Sequence, residues 1–323
     1  MKRTVSILLA AALVTVLAAC GGSTGGLGSV PSAVPSEGPV GPDLTPAPGG
    51  STAPSATSSG APGSSPSTAP TPAASGAAIT VVRAYFILGG EPGSVGLVPV
   101  LREVPETSAV ATAAMTAVLA GPTANEAGER TITSAIPTGT RLLGITIKNG
   151  IATVDLSTEF DSGGGTASMH YRLAQVVYTL TQFSSVKSVI FQIEGETVTV
   201  FGSEGIVLAG PVGRAAYVDQ LPSIFVDRPA YGAAIGNPGR VAGNANVFEA
   251  TFRVALIDAA GKTLVDQQVM ATCGTGCRGT FDVTLGYTVS KAQYGTVRAY
   301  NLSAKDGTPE DIRDYPVWLT PKS

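Results

Sequence analysis

A long tract of small residues divides this chain into a part that can fold and a part that cannot. From residue 21 to residue 78 the sequence is dominated by Ser, Thr, Ala, Pro and Gly, and its only charged residues are Glu37 and Asp43. Such a tract lacks the apolar side chains whose burial would offset the entropy cost of ordering the backbone. We therefore expect a disordered spacer, or a merely passive linker, with folding beginning at Ile79.

The first twenty residues carry the marks of an export signal. Lys2 and Arg3 precede an apolar run from Val5 to Ala19 that ends in small residues before Cys20. The run is short for a bilayer span, which takes about 20 apolar residues. Leu17-Ala18-Ala19-Cys20 resembles a bacterial lipobox, which implies cleavage after residue 19, lipidation of Cys20 and a lipid-anchored protein on the extracytoplasmic face of the cell membrane. The alternative is an ordinary secretory signal with an incidental cysteine.

Charge and residue usage exclude several kinds of ligand. The net charge is −3 and only 13% of the residues are charged, so the composition predicts no basic field for nucleic acid or an anionic surface. His170 is the single histidine, so a histidine-dependent catalytic triad has no spare member, and a surface role for it is favoured. We therefore expect no cofactor and no metal.

The two remaining cysteines lie close together in the sequence. Cys273 and Cys277 flank Gly274-Thr275-Gly276, and an even pair in an oxidising compartment predicts a disulfide. The intervening glycines allow so short a loop to close. Free or reducible thiols are one alternative, and a metal site, which needs about four ligands, is another.

Residues 79–212 have the patterns of an α+β, or mixed α/β, domain. Pro99 places the second strand at a sheet edge, and Asn149-Gly150 between apolar runs is a strong hairpin signal. Thr107 or Ser108 can cap the first helix, which Gly121-Pro122 ends. The predicted elements are strands at 79–88 and 97–104, a helix at 109–120, a hairpin over 145–156, a helix at 167–183, and strands at 186–194 and 197–202.

The rest of the chain predicts an all-β, immunoglobulin-like sandwich over 222–321, joined by a linker at 213–221. Turn residues at Asn237-Pro238-Gly239, Ala260-Gly261-Lys262 and Asp306-Gly307 separate short apolar runs, as in two-sheet sandwiches. The predicted strands are 223–227, 239–243, 247–257, 264–271, 279–285, 295–301 and 314–319.

Three acidic residues stand before a triple glycine. Asp155, Glu159 and Asp161 precede Gly163-Gly164-Gly165, and a carboxylate pair centred on Glu159 could hydrolyse a glycoside. The structural alternative is that negative charge near a helix start complements the helix dipole. The glycines lack the Walker lysine and the GxGxxG order, so they predict no phosphate loop.

Several segments resemble two bacterial families. Those over 80–203 resemble the GerMN domain of sporulation and spore-germination proteins: Leu119-Ala-Gly-Pro-Thr123 with Glu126, Ser134-Ala-Ile-Pro-Thr-Gly-Thr140, Gly150-Ile-Ala-Thr-Val-Asp-Leu-Ser157, Leu173-Ala-Gln-Val-Val-Tyr-Thr-Leu-Thr-Gln-Phe183, and Val186-Lys-Ser-Val189 before Ile193-Glu-Gly195. The later ones resemble the immunoglobulin-like module that often follows it: Val241-Ala-Gly-Asn-Ala-Asn-Val-Phe-Glu249, Asp258 with Gly261, and Gly279-Thr-Phe281. The resemblance implies a role in envelope assembly or ligand contact and supplies no catalytic residues.

These observations lead to one main hypothesis about function. It is a non-catalytic, lipid-anchored envelope protein that binds or scaffolds an envelope protein or peptidoglycan, with no nucleic acid as partner. One alternative is a peptidoglycan- or glycan-acting enzyme that uses acidic residues near Glu159, and another is a solute-binding lipoprotein. The expected organisation is a signal peptide at 1–19, the lipidated cysteine and spacer at 20–78, a GerMN domain at 79–212, a linker at 213–221 and the sandwich at 222–321.

Overall fold

The computed structural model of the protein describes residues 78–90, 92–129 and 131–322. Cys20, the signal sequence before it and the spacer up to residue 77 lie outside the described residues. The described residues all belong to one compact unit, Pro70–Ser323. Within that unit an α+β domain is followed by a sandwich of two β-sheets.

Three sheets and three α-helices build the first domain. In chain order its elements are β1 (Ile79–Leu88), β2 (Gly96–Pro105), α1 (Val110–Leu119), α2 (Ala124–Glu129), β3 (Ile132–Thr133), β4 (Leu142–Lys148), β5 (Ile151–Leu156), α3 (Thr166–Leu180), β6 (Ser188–Ile193), β7 (Glu196–Thr197), β8 (Val200–Phe201) and β9 (Ile206–Val207). The strand orders are β2-β1-β3, β4-β5-β6-β7 and β8-β9. A 3-10 helix, Thr158–Asp161, connects β5 to the segment before α3.

The helix α3 supplies much of the core of this domain. Five apolar side chains along one face of the helix are fully buried: Met169, Leu173, Val176, Val177 and Leu180. The helix contacts β1, α1 and β6. Burial of such a stripe against a sheet is the main source of stability for a helix of this length.

The predicted strand and hairpin positions are largely confirmed. β1 covers the predicted residues and pairs antiparallel with β2 from Ile79 opposite Pro105 to Leu88 opposite Gly96. β2 lies at the edge of its sheet, as Pro99 indicated. β4 and β5 form the hairpin, and Asn149 and Gly150 both have positive φ, 54° and 80°. Positive φ at both central residues is what a tight hairpin turn requires.

Three details of the predicted first domain are wrong. The long helix ends at Leu180 rather than Phe183, and the strand expected at 197–202 is divided between β7 and β8. Neither Thr107 nor Ser108 caps α1 with its side chain; the Thr107 hydroxyl instead accepts a hydrogen bond from Ala109 N–H, one residue before the helix begins.

The second domain is the predicted sandwich. Its strands are β10 (Ile224–Arg228), β11 (Ala234–Ile235), β12 (Gly239–Ala245), β13 (Thr251–Asp258), β14 (Thr263–Met270), β15 (Gly279–Leu285), β16 (Gln293–Leu302) and β17 (Pro309–Leu319). One sheet has the order β10-β12-β15 and the other β11-β17-β16-β13-β14. The buried rings of Phe252 on β13 and Phe281 on β15 meet edge to face with centroids 4.9 Å apart, so the two sheets share one core.

Two boundaries in the second half differ from expectation. The strand predicted at 247–257 begins only at Thr251, because Glu249 and Ala250 have φ of 52° and 57° and form a turn. The predicted linker contains a kinked 3-10 helix, Arg214–Gln220, whose Tyr217 is buried.

Candidate functional site

The predicted disulfide is present in the structure. Cys273 and Cys277 are joined between β14 and β15, with their Cα atoms 5.8 Å apart. Main-chain hydrogen bonding fixes the loop that they close, since Thr275 N–H donates to the Val247 carbonyl at 2.9 Å. The Thr275 hydroxyl accepts from Glu249 N–H at 3.0 Å. The pair therefore ties one loop at the end of the sandwich.

The three acidic residues that precede the triple glycine, Asp155, Glu159 and Asp161, contact different parts of the first domain. Asp155 accepts a hydrogen bond from Gly195 N–H at 2.9 Å, and Asp161 accepts one from Gly202 N–H at 2.6 Å. Glu159 lies 3.5 Å from the guanidinium of Arg141. The Ser157 hydroxyl, and after it the main chain and Arg141, lower the pKa of Glu159. A general acid in glycoside hydrolysis needs a raised pKa, so this arrangement favours the structural interpretation.

The triple glycine packs against a buried arginine. The guanidinium of Arg172 donates to the carbonyl oxygens of Ala135, Phe160 and Gly163 at 3.1, 2.6 and 2.9 Å. Gly164 has φ of +87°, and a Cβ added there would stand 3.1 Å from Nη2 of Arg172. The glycines thus allow a tight approach of the loop to α3 rather than forming a ligand cradle.

His170 packs against the 3-10 helix that connects the two domains. The half-buried ring of His170 faces the ring of Tyr217 edge-on at 6.4 Å. Among the described residues, no group of three or more His, Cys, Asp or Glu side chains is placed to hold a metal ion. Across 78–90, 92–129 and 131–322, no helix has both the length and the apolarity needed to cross a membrane.

A buried arginine at the end of the chain joins the two domains. Arg313 on β17 is 2% exposed and points its guanidinium at the β1–β2 hairpin of the first domain. Nη2 donates to the carbonyls of Gly96 and Leu97 at 3.1 and 2.7 Å, Nη1 donates to the Ser94 carbonyl, and Nε donates to the Tyr315 hydroxyl at 2.7 Å. All three guanidinium nitrogens are used, which a buried arginine without a carboxylate partner requires.

Main-chain bonds extend this junction. Ser223 N–H donates to the Gly93 carbonyl at 2.7 Å, and Tyr231 N–H donates to the Pro99 carbonyl at 2.8 Å. A Cβ added at Gly96 would stand 2.7 Å from Cδ of Pro222, so only glycine fits at that point. Because backbone bonds and a buried guanidinium connect the two domains, their relative position is fixed.

A second part of the junction is charged. The Tyr85 hydroxyl donates to Oδ1 of Asp227 at 2.7 Å, and Arg83 lies 3.5 Å from the other carboxylate oxygen. Arg214 lies over the ring of Tyr178, 4.6 Å from its centroid, and reaches the Tyr85 hydroxyl at 3.3 Å. Burial, and then the charge of Asp227, raises the pKa of Tyr85 above its usual 10.0, so the phenol remains a donor.

An open cleft of about 250 Å³ adjoins this charged network. Its charged lining consists of Arg214, Arg228, Arg240 and Asp227, with Asn244 beside them. Arg240 pairs with Asp282, and Asp227 is already matched by Arg83 and Arg214. The cleft therefore presents more positive than negative groups, at a junction of domains where ligand sites are common. We take it as the candidate functional site.

The fold and the junction define a class: a two-domain protein with an α+β domain rigidly joined to an immunoglobulin-like sandwich. Residues 83–199 match the model of the Germane family, described as "Sporulation and spore germination". Residues 223–308 match that of the Gmad2 family, described as "Immunoglobulin-like domain of bacterial spore germination". The chain carries a GerMN-type domain followed by an immunoglobulin-like domain of the bacterial spore-germination type.

Several solved structures are similar to this chain at low sequence identity. The first GerMN domain of the sporulation protein GerM from Bacillus subtilis is 23% identical, with a TM-score of 0.36 over 42% of this chain and 98% of that one. The tandem GerMN domains of the same protein are 16% identical, with a TM-score of 0.37 over 65% and 62%. A putative lipoprotein from Clostridium perfringens is 19% identical, with a TM-score of 0.31 over 46% and 97%. A comparison with curated proteins found no match.

Sequence reasoning did not find the cleft or the junction. The arginines of the cleft come from positions 214, 228 and 240, and Arg83 of the junction lies in the other domain; no local pattern links them. Composition predicted no basic field anywhere, yet folding gathers these side chains at one place. Arg313 gave no signal either, because an arginine is normally exposed.

Proposed function

We propose that this protein is a non-catalytic, lipid-anchored component of the cell envelope. Cys20 would hold it on the extracytoplasmic face of the membrane, and the two folded domains would bind a wall or membrane component. The observation that carries the proposal is the fixed junction, since Arg313 and the Tyr85–Asp227 pair make one rigid body of two domains. A rigid body with a polar cleft at its junction suits binding and bracing, and Asp155, Glu159 and Asp161 are engaged with neighbouring main-chain groups and Arg141.

The anchor is tested by membrane fractionation of cells that produce the full chain. We expect the wild-type protein in the membrane fraction and Cys20→Ala in the soluble or released fraction. Cys273→Ser, which also removes a cysteine, should remain with the membrane. A wild-type protein that fractionates as soluble, or a Cys20→Ala protein that stays bound, contradicts the anchor.

The binding role is tested with the Cys20→Ala chain as a soluble form of the whole protein. We expect it to retain an envelope protein or purified peptidoglycan in a pull-down. Failure with both materials counts against binding. Incubation with wall material should release no soluble fragments, and fragments that disappear with Glu159→Gln would instead support a glycan-cleaving enzyme.

A further inference from the structure

We propose that the cleft beside the domain junction binds a phosphate group, present as a monoester or a diester. The cleft is lined by the guanidinium groups of Arg214, Arg228 and Arg240 and by the side chains of Asp227 and Asn244. The inference rests on the proposed binding role for its biological meaning and gives the partner a chemical class.

The charge of the site favours an anion. Three arginines, Arg214, Arg228 and Arg240, and one carboxylate, Asp227, line the cleft, which leaves a local charge of +2. Arg83 and Asp282, which pair with Asp227 and Arg240 from outside the lining, cancel each other. The whole chain carries −3, so this excess is a local product of folding. A cleft lined by one sign of charge concentrates ligands of the opposite sign.

Unused hydrogen-bond donors line the same cleft. Arg214 uses Nε and Nη2 to bond Thr181, Tyr85 and Tyr178, while among the described residues its Nη1 has only the Asp227 carboxylate nearby, 4.0 Å away. Arg240 bonds Asp282 through Nε and Nη2, which leaves its Nη1 unused within the described part of the chain.

Two further residues add donors. The Arg228 side chain is exposed and makes no hydrogen bond or close ion pair with any described residue, although its charge acts on Asp282. Asn244 accepts from Arg278 at 2.9 Å through Oδ1, so its amide nitrogen is the end that remains unbonded among the described residues. Every unused polar group named here is therefore a donor.

The number and kind of donors favour phosphate over a carboxylate. Guanidinium groups bind the oxygens of both anions with paired N–H bonds. Three guanidinium groups and an amide supply more donors than the two oxygens of a carboxylate accept. A phosphate monoester offers three terminal oxygens, and a diester offers two terminal oxygens with two ester oxygens beside them. A volume of about 250 Å³ also leaves space for the organic part of an ester.

The test measures binding to the purified Cys20→Ala full chain by calorimetry at constant ionic strength. The probes are inorganic phosphate, glycerol 3-phosphate, a glycerol phosphodiester, and vesicles with and without phosphatidylglycerol; acetate is the control anion. Constant ionic strength is needed because salt screens exposed arginines. We expect saturable binding of at least one phosphate probe and none of acetate.

Variants locate the binding. Arg228→Gln should weaken it by about tenfold or more, since a charge-assisted bond is lost. Arg298→Gln is the matched control for Arg240→Gln, because Arg298 also pairs with an aspartate, Asp314, but lies on the other sheet. Arg240→Gln should weaken binding and Arg298→Gln should not. Thermal unfolding of each variant checks that the fold is retained.

Each outcome decides the proposal. Binding of the soluble esters that depends on Arg228 supports a wall polymer or metabolite as the source. Binding of phosphatidylglycerol vesicles alone, again dependent on Arg228, supports a lipid headgroup. Binding that Arg228→Gln leaves unchanged, equal binding of acetate, or no saturable binding overturns the proposal. The fractionation of Cys20→Ala is independent of these results, so failure here leaves the anchor to its own test.

Discussion

Tyr85 and Asp227 meet across the domain junction, where the phenol donates a 2.7 Å hydrogen bond to a carboxylate 142 residues further along the chain. Tyr85 is fully buried in the first domain, and Asp227 lies on the first strand of the sandwich. The bond stays formed at neutral pH because burial and then Asp227 raise the pKa of Tyr85. It therefore couples the stability of one domain to that of the other.

Removing this bond should lower stability without disrupting either core. Tyr85→Phe keeps the ring but leaves Asp227 without its phenol donor, and a hydrogen bond to a charged group contributes about 1.5–3 kcal/mol. Urea unfolding measures the change. Tyr294→Phe, at a tyrosine that is 70% exposed, is the control and should change the free energy of unfolding little. Equal effects of the two variants would show that the bond does not couple the domains.

Arg313→Met should have a larger effect. The substitution keeps an unbranched side chain but leaves the carbonyls of Ser94, Gly96 and Leu97 without their donor, each at a cost of about 1–3 kcal/mol when buried. We expect a loss of about 3 kcal/mol or more in urea unfolding. Loss of the junction should also separate one unfolding transition into two.

A surface arginine is the control for that variant. Arg298→Met removes a partly exposed ion pair with Asp314 and should cost at most about 1 kcal/mol. A single cooperative transition in Arg313→Met, with stability close to that of Arg298→Met, would contradict the role given to the buried guanidinium.

Acid should weaken the start of α2. Glu126 accepts from Thr123 N–H at 2.8 Å and from both terminal nitrogens of Arg102 at 2.9 and 2.6 Å. Burial raises the pKa of Glu126, but the bonds from Arg102 and Thr123 outweigh it and lower the pKa below 4.5. The stabilisation is therefore present above the unfolded-state pKa and is lost as the pH falls through the folded-state pKa.

A variant isolates this pH effect. Glu126→Gln should be less stable than the wild type at neutral pH, and the difference should shrink as the pH falls below 4.5. Urea unfolding between neutral and acid pH measures it. A difference that stays constant over that range would show that the ionised carboxylate is not the source.

The disulfide should contribute modestly. Only three residues separate Cys273 from Cys277, and the entropy gained by closing so short a loop stabilises by about 2 kcal/mol. The hydrogen bonds of Thr275 hold the same loop, so we expect the double Cys→Ser variant to fold with nearly unchanged circular dichroism. That variant and the reduced wild type should have the same thermal unfolding midpoint. Loss of the folded circular dichroism spectrum would show that the disulfide is required for folding.

Local patterns predicted most of the secondary structure. β1 was placed correctly because most of its residues are β-branched or aromatic. Asn149-Gly150 marked the β4–β5 hairpin because few other pairs accept positive φ. The error at 247–257 has the opposite cause. Glu249 and Ala250 are ordinary residues held at positive φ by the neighbouring disulfide loop, a tertiary contact that the local sequence does not reveal.

The candidate site depended on tertiary contacts throughout. Asp227 ends the predicted strand 223–227 and Arg228 follows it, where charged residues normally face solvent. Tyr85, which bonds Asp227, lies 142 residues away in the other domain, and Arg214 lies in the connecting helix. The net charge of −3 did not indicate a local excess of arginine, because a composition averages over the whole chain. The pairing of β10 with β12 brings Arg228 and Arg240 together, and the packing of the first domain adds Tyr85 and Arg83 beside Asp227.

The position of Arg313 in the chain has a consequence for biosynthesis. Its contacts with the first domain span 216 to 219 residues, so the β1–β2 hairpin leaves the ribosome long before β17 does. Contacts this distant in sequence form slowly and late. Until β17 arrives, the carbonyls of the hairpin face water and the hairpin lacks its cover, so a chain that ends prematurely presents an open segment to proteases. Burial of the hairpin of the first domain is therefore completed only when β17 has been synthesised and has folded.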